Sequence, residues 1–418
     1  MGIKAGVGVV DITPPLGVEL CGYGLYLNRR STSIRDRLYS KALVLSDGVN
    51  RVAIVANDLI GITKGMSKDI RFLVAKETGI PQDHILITCT HTHHGPATLS
   101  LRGCGEIDED YMGILPKYVA SAVIMANSNL KDAKIGAGKG HLENISMNRV
   151  VEDGLIDPEV GVIRVDDHHG NPIAILINFS CHPVVMPVNT LISSDFPGAA
   201  ASVVETVKKG AVGIFLQGAC GDINPTLTHT GKVEQVGITL AAEALKVEEG
   251  IQTTGEVAVS SKVRNVRLPL KIPTAEEVME MLERVKKRLD ERWVKAYSEW
   301  AEHVLSEIND EPEPWLETEI QVIQVGDIVL AAEPSEMFVK FCLEVKKRSP
   351  YRNTFVIGYA NDYVGYIPDE EDYKRSGGFG GYAATMVPVL TNNFIFSPNV
   401  GRTITEALVD LIQSVNAP

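Results

Sequence analysis

Residues 89–96 read CTHTHHGP and set His91, His93 and His94 within four positions. Neutral imidazole is a common ligand for borderline metals and the side chain best suited to carry protons near neutral pH. In extended backbone, residues i and i+2 share a face, so His91 and His93 point one way and His94 the other. Only two of the three can then serve one site. A further histidine, His182, follows the apolar run AILINFS in the sequence CHPVV. Catalytic zinc takes three protein ligands that mix imidazole with carboxylate and leaves a position for water. Two histidines from separate strand ends and one acidic residue answer that description. Two more polar clusters are GACGDINP (218–225), with Asp222 and Asn224, and EPSEM (333–337), which opens on Glu333.

The elements that must position these groups alternate along the chain. KALVLSDG and RVAIVAND predict paired strands around a turn, 64–78 a helix, and HILITCT (84–90) a short buried strand. A helix is expected over 110–129, a hairpin turning at His169, Gly170 and Asn171, and a second buried strand at AVGIFLQ (211–217). Helices at about 198–209 and 231–248 follow. Pro273 opens an amphipathic segment to about 307, with Val278, Met281, Leu282, Val285 and Leu289 at helical spacing. This long helical segment, 274–307, is a packing surface, a lid or an interface. NDEPEPW (309–315) is a proline-broken connector, and a hairpin then runs to Glu333. The fold class is α/β, a mixed β-sheet core flanked by helices, in a single domain over 1–418. Every polar cluster falls just past an apolar strand, where such architectures place ligands.

Composition excludes several partners. With 40 Lys+Arg against 53 Asp+Glu, the formal charge of −13 repels phosphate backbones, so nucleic acid is not an expected ligand. Six cysteines occur without a C-x-x-C pair, so neither a disulfide framework nor a cysteine zinc site is expected. No stretch reads as a signal peptide or transmembrane segment, which makes the cytoplasm the expected location.

Five ordered blocks, THTHHGP, NFSCHPVVM with VNTLISSDFPG, FLQGACGDINP, AAEPSEM and NDYVGYIPDEEDY, resemble the neutral ceramidase family of zinc amidases over nearly the whole chain. The resemblance implies one zinc ion held by His91, His182, Glu333 and Tyr366, with His93 as the acid/base group. Tyr363 competes with Tyr366 for the ligand role. Arg149, in NISMNR, is implied as a substrate contact, and Tyr382 as the tyrosine that helps stabilise the oxyanion. Ceramidases carry serine where this chain has Asn224, so the implied mechanism is attack by a zinc-bound water. Asp222 either orients a ligand histidine or serves tight turn geometry, and the turn role is favoured. Asp195 either reaches the site or caps a helix that begins at Pro197, and capping is favoured. The immunoglobulin-like C-terminal domain of classical members is expected to be missing, which points away from ceramide and toward a smaller, more polar substrate.

Three functions follow. The first is a ceramidase-like zinc hydrolase of N-acyl lipid amides, active in lipid metabolism. The second uses the same site on a soluble substrate. The third is a non-catalytic metal-binding protein, in which the ligands close around the ion.

Overall fold

In the computed structural model, residues 2–375 and 380–415 are described. Eight strands form the first sheet: β1 (Lys4–Asp11), β2 (Tyr39–Ser46), β3 (Arg51–Asn57), β4 (Ile85–Cys89), β5 (Lys131–His141), β6 (Glu159–Asp167), β7 (Pro172–Phe179) and β8 (Val212–Gln217). Their order is β8-β7-β6-β5-β1-β2-β3-β4, with β8 parallel to β7, β3 parallel to β4 and the others antiparallel. The second sheet holds β9 (Val259–Lys271), β10 (Trp315–Val325), β11 (Ile328–Ala332), β12 (Asn353–Ile357) and β13 (Ile395–Phe396) in the order β12-β11-β10-β9-β13.

Strand faces dictate four layers. Leu43, Ile54, Leu176 and Ile214 of the first sheet pack against Ile323, Leu330, Phe355 and Ile357 of the second. Because side chains alternate across a strand, the neighbouring apolar residues need cover on the opposite face. The first sheet is covered by α1 (Lys64–Thr78), α2 (Glu109–Ser128), α3 (Asp195–Val207) and α4 (Val233–Glu249), through residues such as Ile70, Val119, Val204 and Leu240. Behind the second sheet, α7 (Val339–Arg348) and α8 (Val400–Ser414) bury Phe341, Ile404 and Leu408. The mixed-sheet expectation holds, with two sheets in place of one.

The 274–307 segment is a helical hairpin, α5 (Ala275–Arg288) and α6 (Glu291–Ile308), and not one long helix. Thr274 and Glu277 form a capping box at its start. Asp290 breaks it by accepting hydrogen bonds from the Arg292 and Trp293 N–H groups, which makes a second N-cap more favourable there than continued helix. Val278, Tyr297, Trp300 and Val304 pack onto Cys21, Leu25, Leu99 and Val389, so the apolar stripe is covered by the chain itself. Among the described residues, no helix is long and apolar enough to cross a membrane.

Candidate metal centre and its pocket

Two strand ends of the first sheet deliver the imidazoles, and a third braces them. β4 stops at Cys89, and His91 adopts left-handed backbone at φ 65°, its N–H donating to the Leu59 carbonyl at 2.9 Å. β7 stops at Phe179, and the His182 N–H donates to the Ile223 carbonyl at 3.0 Å. Gln217, the last residue of β8, ties the two loops together: its side-chain amide donates to the carbonyls of Thr90 at 3.1 Å and Cys181 at 3.0 Å. The extended-backbone premise is therefore wrong at His91, yet its pairing stands. His93 Nε2 lies 3.1 Å from His91 Nε2, while His94 turns away to the Pro187 carbonyl.

Backbone carbonyls fix the tautomers. His91 Nδ1 is 2.7 Å from the Ile60 oxygen and His182 Nδ1 is 2.6 Å from the Cys220 oxygen. A carbonyl only accepts, so both rings carry their proton on Nδ1 and turn a bare Nε2 inward. The candidate ligand atoms of His91, His93 and His182 lie within 4.8 Å of one another. Glu336 completes the convergence, with Oε2 3.0 Å from His182 Nε2 and 3.4 Å from His91 Nε2. Lone pairs aimed at one another in a buried space repel unless a cation sits among them, so this donor set fits a divalent metal ion. The Tyr366 hydroxyl, 3.4 Å from His182 Nε2, accepts a 2.6 Å hydrogen bond from the Arg149 guanidinium.

Charge states agree with that fit. Burial and the nearby Arg149 charge lower the His182 pKa to about 4, so the ring is neutral near pH 7. Burial raises the Glu336 pKa, but positive charge at the facing His91 and His182 nitrogens, the place a bound cation would take, holds it well below the usual carboxylate range. For Tyr366 the phenol is pushed well above its usual value, chiefly by burial, against the opposing pull of Arg149.

The acidic residue facing the imidazoles is thus Glu336 and not Glu333. Glu333 Oε2 accepts from the Ser335 N–H at 2.9 Å and from the Ser335 hydroxyl, while Oε1 is buried without a partner. After Pro334 the chain turns, and Glu336–Met337 forms a short parallel ladder with Tyr366–Ile367, placing Glu336 directly opposite Tyr366. Tyr363, the competing ligand, donates to Glu336 Oε1 at 2.6 Å and supports the carboxylate from behind.

Both carboxylates offered as supports act elsewhere. Asp222 accepts from Asn148 at 2.8 Å and from the Val339 N–H at 2.7 Å, so it holds its own turn and touches neither ligand ring. Asp195 opens α3, two residues before Pro197, and its carboxylate accepts from the Phe196 and Met186 N–H groups. It anchors the loop that follows His182 and does not reach the imidazoles. Carbonyl oxygens, which no side-chain pattern announces, do the orienting.

A cavity of about 330 Å³ opens beside the imidazoles and is lined by Arg149, Asn224, Trp293, Tyr366 and Tyr382 among others. Arg149 donates to the Gly221 carbonyl as well as to Tyr366, which fixes its plane. Tyr382 is positioned by Asp372, whose carboxylate accepts from the Ala384 N–H at 2.9 Å, and by Tyr297, which donates to the Thr385 carbonyl at 3.1 Å. A larger groove of about 800 Å³ lies elsewhere, beside Asp36, Lys41 and Glu205. There Lys41 is already paired with Glu205 at 2.7 Å.

Two tests arise from this geometry. Gly22 has φ 106°, and a Cβ there would stand 2.6 Å from His93 Cγ. Gly22→Ala is expected to shift His93 and lower kcat by up to about 100-fold while metal content, read by elemental analysis, stays near wild type. Burial raises the Glu333 pKa to about 8, against hydrogen bonds from Ser335. A carboxyl whose folded pKa lies above its unfolded value loses its stabilising contribution as pH rises toward the folded value. The Tm of Glu333→Gln should therefore gain on wild type steadily between about pH 4.5 and pH 8, and parallel Tm curves would show that Glu333 is already ionised.

Comparison with known proteins follows the same lines. Neutral ceramidase of Pseudomonas aeruginosa is 24% identical over 463 residues, covering 90% of this chain and 68% of that protein. Neutral ceramidase A of Dictyostelium discoideum is 28% identical over 283 residues, covering 56% of this chain and 39% of its own length. The crystal structure of the Pseudomonas aeruginosa neutral ceramidase superposes with a TM-score of 0.77 at 22% identity, covering 99% of this chain and 74% of the other, a likeness of fold. The family model for the neutral/alkaline non-lysosomal ceramidase N-terminal region matches residues 3–254, more than half of the sequence. The chain belongs to that ceramidase family.

Proposed function

We propose that the chain is a zinc-dependent hydrolase that cleaves an N-acyl amide bond, as the ceramidases of its family are named for doing. The observation that carries this reading is the convergence of two tautomer-fixed imidazoles and the Glu336 carboxylate at the wall of a cavity. His91, His182, Glu336 and Tyr366 would hold the ion. When bound, it supplies Lewis acidity toward the scissile carbonyl and the attacking water.

The chain's own groups do the rest. His93, beside His91 and not tied to a carbonyl, takes a proton from the attacking water and returns it to the leaving nitrogen. Arg149 holds the Tyr366 oxygen, so that this phenol faces the imidazoles and not the substrate. Tyr382, half exposed at the cavity wall, offers its hydroxyl to the carbonyl oxygen as negative charge develops there. Asn224 carries no nucleophile, so no acyl-enzyme forms at that position.

The test is metal analysis of the purified protein followed by turnover of an N-acyl amide panel before and after chelation. About one zinc per chain, with activity lost to chelator and restored by Zn²⁺, supports the reading. Full metal occupancy without turnover of any amide overturns it in favour of a closed, non-catalytic metal site.

A further inference from the structure

Asn224 stands at the cavity wall and takes no part in the chemistry described above. Its short strand, Ile223–Pro225, pairs with Ser146–Asn148 and runs between two anchors of the centre. The Ile223 carbonyl accepts from the His182 N–H at 3.0 Å, and the Asp222 carbonyl accepts from the Arg149 N–H at 2.8 Å. Side chains alternate along a strand, so burying Ile223 in the helix-covered core of the first sheet turns Asn224 the opposite way, to the cavity.

The Asn224 carboxamide oxygen is buried without a hydrogen-bond partner. An unpaired buried acceptor is unfavourable, and a ligand that brings a donor to it relieves the penalty. The polar neighbours around the cavity are engaged elsewhere. Tyr23 donates its hydroxyl to the Met186 carbonyl at 3.1 Å, Tyr363 donates to Glu336, and Arg149 holds Tyr366 and the Gly221 carbonyl. The partner for Asn224 therefore arrives with the substrate.

An amide carries one suitable donor beside its reacting carbon, the N–H. In a trans amide the C=O and N–H point in opposite directions, so different wall groups must hold them. The carbonyl oxygen needs a donor, which Tyr382 offers. The N–H needs an acceptor.

We propose that the Asn224 oxygen accepts a hydrogen bond from the N–H of the scissile amide and so selects amides bearing an N–H over esters. An ester sets an oxygen where the amide has its N–H, which leaves the buried acceptor facing lone pairs. The selection acts on the atom bonded to the acyl carbon and is independent of acyl length. With its hydrogen held by Asn224, the nitrogen keeps its developing lone pair for the proton that His93 returns. The C–N bond then breaks to give a carboxylic acid and an amine. This inference rests on the hydrolase reading above and deepens it.

The experiment reads amide against ester on the same protein preparation, so that changes in metal content or folded fraction cancel. Zinc-loaded wild type and Asn224→Leu, which keeps the approximate side-chain shape and removes the acceptor, are assayed on an N-acyl amine and on the matched ester. The amide-to-ester ratio of kcat/KM should fall about tenfold in Asn224→Leu. Calorimetry with two unreactive inhibitors gives a reading that needs no turnover. The same substitution should weaken a phosphonamidate, which bears the N–H, about tenfold relative to the phosphonate that has oxygen in its place.

An unchanged ratio, or a parallel loss for amide and ester and for both inhibitors, overturns the contact and leaves the hydrolase reading intact. Absence of turnover of any amide by the zinc-loaded wild type overturns the hydrolase reading and this inference with it.

Discussion

Glu336→Gln is expected to leave the purified protein nearly free of metal, while Glu333→Gln retains it. The two glutamates sit three residues apart and are both buried, so only their surroundings separate them. Glu336 Oε2 faces two bare imidazole nitrogens at 3.0 and 3.4 Å, and its other oxygen is held by Tyr363. Replacing that carboxylate by a carboxamide removes the formal negative charge that best offsets a dication. Supporting residues around metal sites typically contribute 10–100-fold in affinity, and a direct ligand should exceed that range. Glu333 instead folds back on Ser335, where a glutamine can accept the same two hydrogen bonds. Competition titration with a chromophoric chelator reads both affinities. His182→Ala should match Glu336→Gln, because it removes a nitrogen that the Cys220 carbonyl has already aimed. Retention of metal by Glu336→Gln, with its loss in Glu333→Gln, would return the ligand role to the residue that directly follows the strand.

That pair of glutamates shows where sequence reading stops. The rule that chemistry gathers just past apolar strands locates all four polar clusters correctly, because β4, β7, β8 and β11 end there. Within the last of them, it is the family resemblance that implies Glu333. Choosing Glu336 requires knowing that the chain turns at Pro334 and pairs again with Tyr366–Ile367, a contact made thirty residues away in sequence. Long-range pairing of this kind leaves no local periodicity.

The same limit explains the missed elements. Strand β9, VSSKVRNVRLPLK, is half exposed and charged, so it lacks the apolar run that marks β4 and β8. Helix α1 is legible to the residue, from Thr63 as N-cap to Gly79 in left-handed backbone, because both stop signals are local. The carbonyls of Ile60 and Cys220, which set the histidine tautomers, belong to every sequence equally and are visible only in the fold.

His93→Ala separates proton transfer from metal binding. His93 Nε2 approaches His91 Nε2 at 3.1 Å, close enough to belong to the ligand group, yet its Nδ1 is buried with no hydrogen-bond partner. Histidines that bind metals almost always donate their second ring nitrogen to a carbonyl or carboxylate, as His91 and His182 do here. A ring without that restraint is free to exchange its proton between nitrogens, which suits a carrier more than a ligand. Burial, with any positive charge at the neighbouring His91 and His182 nitrogens, holds the His93 pKa well below its ordinary value, so the ring is neutral near pH 7. The expected result is metal content near wild type with kcat reduced by roughly 10²–10⁴-fold, the usual contribution of a positioned acid/base group. If His93→Ala instead loses its metal in proportion to its activity, then His93 is a ligand, and the proton must travel through a different member of the pocket.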